Sequence, residues 1–273
     1  MREVMLHSAS DILPLNGTGQ GENDPGLILA LVRFGDMPCV LLGQDRRGQT
    51  TRSPLGPGAL REARRGMRLA AELNLPLVTV IDTAGAALSK EAEEGGLAGE
   101  IARCIADMVS LDVPTISLLL GQGTGGGALA LIPADRVLAA RHGWLSPLPP
   151  EGASAILHHD IAYGPDMATR RGIRPSDLQA IGIVDLVMSK AQTCRRIGGL
   201  RLFARRCPCG SGRLERGGDR RPRGAAPAQK CSGGKSELSS WARWATLSAR
   251  SAGLGWARSP AVRIIATPLT ERR

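Results

Sequence analysis

Residues 114–120 (PTISLLL) form an unbroken apolar run and residues 128–132 (ALALI) a helix-forming one; between them stand Gly121-Gln122-Gly123-Thr124-Gly125-Gly126-Gly127. A short apolar run, a glycine cluster and a helix-forming segment predict a buried strand, a tight turn and a helix start. The first N–H groups of a helix have no internal partner and lie at the positive end of its dipole, so such a turn offers donors to an anion. Glycine reaches positive φ at little cost and lets a ligand approach the backbone without a Cβ in the way. Taken alone, the cluster is equally well explained by close packing of a strand on a helix.

A second segment of the same kind lies roughly 40 residues earlier: Leu77-Val78-Thr79-Val80-Ile81, then Asp82-Thr83-Ala84-Gly85-Ala86. Between the two, Leu97, Ile101, Ile105, Met108 and Leu111 recur at helical spacing and predict a helix over 97–111. The order strand, turn, helix, strand, turn, helix favours a mainly parallel sheet with right-handed crossovers. Ligands of open α/β sheets bind beyond the carboxyl ends of the strands, where both bends fall.

The chain has 273 residues and a formal net charge of +10, but the charge is unevenly spread. Residues 1–190 carry 17 Lys+Arg against 21 Asp+Glu, a net of −4, and residues 191–273 carry 18 against 4, a net of +14. Basicity therefore belongs to the tail, and nucleic acid is not an expected partner of the rest. The tail mixes Arg, Gly, Pro, Ser and Ala without periodicity, which predicts a segment lacking stable structure. Three origins stay open for it: a frame-shifted translation of a GC-rich gene, which the composition favours; a basic arm; or a zinc knuckle begun by Cys207 and Cys209. The knuckle has only Cys231 to follow and no later histidine. Residues 1–14 show no secretory pattern, no run of 18 apolar residues occurs, and the six cysteines read as reduced thiols, so a soluble, cytoplasmic chain is expected with no membrane partner.

Further segments fall into a known order along the chain. They are Gly43-Gln44-Asp45, Gly56-Pro57-Gly58 leading into residues 61–72, Ile81 to Ala86, Glu93-Glu94-Gly95, Gly121 to Ala130, Leu145-Ser146-Pro147, and Pro150 to Leu157. Over about residues 39–188 the chain resembles the carboxyltransferase component of acyl-CoA carboxylases, most closely the α subunit of bacterial acetyl-CoA carboxylase. It departs in having Ala84 where the family usually has proline, and in a basic tail where C-terminal helices are expected; the family's leading helix is absent, and nothing resembles the β subunit's zinc ribbon.

The resemblance implies an α/β fold of the crotonase-like (ClpP/crotonase) type, made of repeated β-β-α units. It implies an N-terminal segment over 1–37, the carboxyltransferase domain over 38–190 and the tail over 191–273. It also implies transfer of carboxyl from carboxybiotin, supplied by a biotin carboxyl carrier protein, to acetyl-CoA or a related acyl-CoA, giving malonyl-CoA. A β-type carboxyltransferase subunit would complete the acyl-CoA half-site, in an assembly of two of each subunit, and no metal is predicted in this chain. Such chemistry needs N–H donors aimed at developing negative oxygens rather than a side-chain acid or base. By resemblance, Gly126 and Gly127 would hold the biotin oxygen, Gly85 and Ala86 would line the same pocket, and Gly123, Thr124 and Gly125 would belong to the cofactor-binding stretch.

Other residues have plainer readings. Asp82 is expected to anchor its turn, and Glu151 to complement the dipole of a helix begun by Pro149 and Pro150. Arg61, Arg64, Arg65 and Arg68 form a stripe beside Leu60, Ala63, Met67 and Ala71, which are expected to face the core; a solvated face is favoured, a CoA phosphate or an acidic partner being the alternative. Glu91, Glu93 and Glu94 read as exposed loop charges. Two competing functions remain: a crotonase-like hydratase or decarboxylase of acyl-CoA thioesters, and a truncated subunit that assembles without turnover. A hydratase needs poised carboxylates, and none follows Gly127 before Asp135.

Overall fold

The computed structural model describes residues 2, 5, 8–50 and 53–189. The expectations placed on the tail, including Cys207, Cys209 and Cys231, lie outside the described residues.

In chain order the elements are strands β1 (Ala9–Pro14), β2 (Leu27–Phe34) and β3 (Met37–Gln44), helix α1 (Pro57–Leu73), strand β4 (Leu77–Thr83), and helices α2 (Lys90–Glu94) and α3 (Leu97–Ser110). Then come β5 (Thr115–Thr124), α4 (Gly125–Leu129), β6 (Arg136–Ala140), β7 (Trp144–Ser146), α5 (Pro150–His158), α6 (Gly164–Arg170), α7 (Pro175–Ala180) and β8 (Leu186–Met188). One sheet runs β1-β2-β3-β4-β5-β6-β8, with β7 pairing the far end of β5. From β3 onward all neighbours are parallel, as expected, whereas β1, β2 and β3 are antiparallel. Two units read β-β-α, namely β2-β3-α1 and β6-β7-α5; β4 and β5 are each followed by a helix directly.

The central strands are apolar on both faces because both are covered. Val40, Leu42, Leu77, Ile81 and Leu119 pack with the helices, and Cys39, Leu41, Val78, Val80 and Leu118 form a second cluster behind the sheet. Pro57 at the first turn of α1 suits a fixed φ without an N–H, and Asn74 in the left-handed region ends the helix. The face α1 buries carries Leu60, Ala63 and Met67 as expected, but Ala70 closes it in place of Ala71, which is exposed.

The arginine stripe of α1 is neither a solvated face nor a free anion site. Arg61 donates to Glu22 and to Gly95 O, Arg64 to Asp107 and Glu100, and Arg65 to the carbonyls of Leu15 and Gly17. The hydrogen bond from Arg61 holds the Glu22 carboxyl below its ordinary range. Buried Glu100 is the hub of this network, also receiving Arg103 at 2.8 Å, which explains a carboxylate on the inner face of α3. Only exposed Arg68 keeps the solvated character read from the sequence. Glu91, Glu93 and Glu94 are exposed, but on the short helix α2, which Ser89 caps by accepting from the Ala92 N–H.

Candidate active site at two converging bends

Both bends lie at the carboxyl ends of parallel neighbours, β4 and β5, and they meet. A Cβ placed on Gly127 would stand 3.3 Å from the Ala86 nitrogen and 3.6 Å from the Gly85 carbonyl carbon, with Leu55 Cδ2 at 3.0 Å. One placed on Gly85 would lie 3.8 Å from both the carbonyl oxygen and the Cγ2 of Thr124. The bareness of glycine at 127 is what leaves the approach to the Ala86 N–H open.

The glycine cluster divides differently from the sequence expectation. The expected turn over 121–127 is a strand as far as Thr124, and helix α4 begins at Gly125. Gly121 is bare because a Cβ there would meet Asp82 Oδ1 at 2.6 Å, and Gly123 because it would strike the side chains of Leu119 and Leu145 at 2.9 Å and Trp144 O at 3.0 Å. These two glycines serve strand packing, the plainer of the two readings. Gly123 and Thr124 are buried and pair with β4 and β7 rather than lining a loop. Gly125 does turn the chain, with φ +63°, and Gly126 fits against Ile101, whose Cδ1 would be 2.5 Å from a Cβ.

The donors differ between the bends. Gly85, at φ +127°, gives its N–H to Thr83 Oγ1 at 3.1 Å, so of the two residues expected to line the pocket it is Ala86 that has an N–H to offer. Among the described residues nothing accepts from the Ala86 N–H, while Ala87 donates to Leu55 O at 2.9 Å. In α4, Gly126 and Gly127 occupy the first turn, where N–H groups have no partner in the helical ladder. Thr124 offers no side-chain cap to them. Gly85, Ala86 and Gly126 are half-buried and Gly127 is buried.

Buried polar side chains hold this arrangement. Asp82 accepts from the Gln122 N–H at 3.3 Å, so it anchors β5 to the end of β4 and not its own turn; burial raises its carboxyl above the ordinary range. Thr83 donates to Gln49 Oε1 at 2.6 Å, and Gln49 Nε2 reaches Asp82 O at 3.2 Å. Gln44 Nε2 donates to Gly127 O at 2.7 Å and its Oε1 accepts from the Asp82 N–H at 3.2 Å. Sequence reasoning missed Gln44 and Gln49 as contributors to the site. The one available signal was an amide side chain at the end of an otherwise apolar strand.

Several alternatives lose support. Asp135 binds the Thr115 N–H and hydroxyl at the opposite end of β5, far along the strand from Gly125, so it offers no carboxylate to a hydratase here. His142, His158 and His159 are exposed. Cys39 and Cys104 are buried thiols pushed up to about 12, which makes them poor nucleophiles. Glu151 stands in the first turn of α5 behind Pro150, in the position read for a dipole partner. Among the described residues no group of His, Cys, Asp or Glu could hold a metal ion, and no helix is long and apolar enough to cross a membrane.

Residues 2–197 match the family described as acetyl co-enzyme A carboxylase carboxyltransferase-like. The chain belongs to that family. It is 60% identical over 188 residues to the probable biotin-dependent acyl-coenzyme A carboxylase beta3 subunit of Mycobacterium bovis, covering 69% of this chain and 38% of that one. It is 37% identical over 185 residues to the acetyl-coenzyme A carboxylase carboxyl transferase subunit alpha of Mesorhizobium japonicum, covering 66% and 58%. The α-subunit likeness read from the motifs is thus present, and the relative named beta3 is more similar still. The chain spans less than two thirds of the length of these curated relatives. In fold it matches the crystal structure of transcarboxylase 12S with methylmalonyl-coenzyme A bound, at a TM-score of 0.66 and 21% identity over 79% of this chain and 44% of that one. The mixed α/β fold is therefore crotonase-like.

Proposed function

We propose that this chain is a carboxyltransferase subunit of a biotin-dependent acyl-CoA carboxylase, moving carboxyl from carboxybiotin on a carrier protein to acetyl-CoA or a related acyl-CoA. Malonyl-CoA is the product when the acceptor is acetyl-CoA. The observation that carries the reading is the meeting of the Ala86 and Gly127 bends. Family membership and the printed names of the relatives support it.

A cradle that a single Cβ at 127 would fill suits a flat ureido ring edge, which needs N–H donors and close backbone approach. Bound there, carboxybiotin supplies an activated carboxyl group. The Ala86 N–H and the Gly126 and Gly127 N–H groups would donate to oxygen that becomes negative as the carboxyl leaves. Donors already fixed by the fold need no reorganisation during the reaction, and losing one costs a factor of about 10² to 10³ in rate. Gly123 and Thr124 back this donor set from β5, and Gly125 turns the chain into it.

The expected partners are a β-type carboxyltransferase subunit, which would shape the acyl-CoA half-site, and the biotin carboxyl carrier protein. A relative from Parafrankia is named for both beta and alpha subunits, with 40% identity over 184 residues, which supports a requirement for the β-type part. The test uses the full chain with a β-type subunit and measures carboxylation of free biocytin at the expense of malonyl-CoA, the proposed reaction in reverse. Turnover that needs both proteins supports the reading. Absence of turnover, or hydration of crotonyl-CoA by this chain alone, overturns it.

A further inference from the structure

We infer that Gln44 is a positioning residue that sets the distance between the two bends, an inference that rests on the carboxyltransferase reading for its kinetic consequence and on geometry for the rest. Gln44 is the last residue of β3 and is fully buried. Its two amide atoms reach two different elements: Nε2 donates to Gly127 O on α4 at 2.7 Å, and Oε1 accepts from the Asp82 N–H on β4 at 3.2 Å. It bridges the element carrying Gly126 and Gly127 to the strand that leads into Ala86.

The carbonyl it grips is one the helix leaves over. Ala130 donates to Gly126 O at 2.9 Å, but Leu131 donates to Ala128 O at 3.2 Å, so the ladder passes over Gly127 O. A five-residue helix ends too soon to satisfy that oxygen, and Gln44 does so instead. The far end of the same segment is held separately, since the hydroxyls of Thr79 and Ser117 converge on Leu131 O at 2.9 and 2.8 Å. The segment from Gly127 to Leu131 is thus tied to the sheet at both ends. Only the tie at Gly127 lies next to the Ala86 nitrogen. Gln49 holds the other bend through Thr83 and Asp82 O, with no hydrogen bond to α4 among the described residues.

Because a misplacement of about 1 Å can cost roughly 10²-fold in rate, loosening this tie should lower kcat more than it changes KM. Gln44→Met keeps the volume and removes both hydrogen bonds. Gln44→Glu keeps the shape and the acceptor for Asp82 N–H, but its carboxylate would face Gly127 O without a proton to donate. The neighbouring charged groups are Asp82 on β4, Asp45 on β3's exit, Arg2 paired with Asp45 at 2.8 Å, and Arg46, whose charge acts on Asp82; α4 brings none. Full burial favours the protonated form of the introduced acid, and the two carboxylates add to this against the pull of Arg2 and Arg46, so the missing donor returns as pH falls.

The experiment measures kcat and KM for biocytin in the full chain with a β-type subunit, and amide hydrogen exchange of the peptide covering 122–131 in the full chain. Gln44→Met should lower kcat about tenfold to a hundredfold with KM within threefold, and should speed exchange at Gly126–Ala128. Gln44→Glu should recover activity relative to wild type as pH is lowered from 8 to 6, a profile that general destabilisation would not produce. A kcat within twofold of wild type in Gln44→Met, or a Gln44→Glu profile parallel to wild type, overturns the inference. If the wild type itself shows no turnover, the functional reading falls while the exchange measurement still decides: unchanged exchange at Gly126–Ala128 in both variants removes Gln44 from this role.

Discussion

The bend after β4 and the bend after β5 both read as small-residue turns at strand ends, yet they keep their amides available by different means. After β4 the chain bends through one left-handed glycine whose N–H is consumed by Thr83, and the open donor is the following Ala86. After β5 the strand itself continues through two glycines before the helix begins, and the open donors belong to the first turn of α4. The first bend is held by side chains within its own loop and Gln49; the second by packing on both sides and by Gln44. A donor pair built from two such differently supported bends can be disturbed one half at a time.

The sharpest separation comes from Gly127→Val. Its φ is not in the left-handed region and its nearest contact is the end of the buried Leu55 side chain, with the Ala86 backbone nitrogen next at 3.3 Å, so the fold should survive at some cost in stability. The added side chain would sit over the Ala86 nitrogen, and transfer to biocytin should fall by about 10² to 10³, with circular dichroism unchanged. An active Gly127→Val enzyme would remove the convergence from the mechanism. Gly123→Ala tests the packing glycines instead: with carbons at 2.9 Å and a carbonyl at 3.0 Å around the new methyl, unfolding stability should drop by about 2–3 kcal/mol in a urea titration. A smaller loss of about 1–2 kcal/mol is expected from Thr83→Val, which leaves Gly85 N–H and Gln49 Oε1 unpaired in a buried place. If that variant matches wild type in the same titration, the first bend does not depend on its hydroxyl.

The smallest effect lies away from both bends, on α1. Glu62 is fully buried, neither carboxylate oxygen makes a hydrogen bond of normal geometry among the described residues, and burial raises its pKa despite the nearby N–H groups of Gly17 and Asp24 and the charge of Arg65. A raised carboxyl pKa means that the native state holds its proton more tightly than the unfolded chain. Stability should therefore fall as pH rises from the unfolded carboxyl's range through the raised native value. Glu62→Gln should flatten that limb and be the more stable protein at neutral pH, with the difference vanishing in acid. Thermal unfolding at a series of pH values reads this directly, and parallel curves for the two proteins would dismiss it.

Much of the architecture was legible because it follows from local patterning. The apolar runs at 77–81 and 114–120 became β4 and β5, the helical spacing from Leu97 to Met108 became α3, and Pro150 with Glu151 opened α5. The inner face of α3 was legible only in part: Leu97 and Met108 are buried, but Cys104 and Glu100 replace Ile101 and Ile105 as its most enclosed members. Arg64 and Arg103 neutralise Glu100, and a partner from another helix leaves no mark on the periodicity of its own.

What the residues determined by themselves was the supply of bare backbone: glycines and small side chains at two strand ends, because only they permit those turns and approaches. Which amide stayed open was decided by tertiary contacts, since Thr83 takes the Gly85 N–H, and Asp82 and Leu145 claim the space above Gly121 and Gly123. The pairing of Ala86 with Gly127 arises from the parallel register of β4 and β5 and the grip of Gln44 across 83 residues of chain. A hydrogen bond between distant residues depends on where the sheet brings them, and no local pattern encodes that distance.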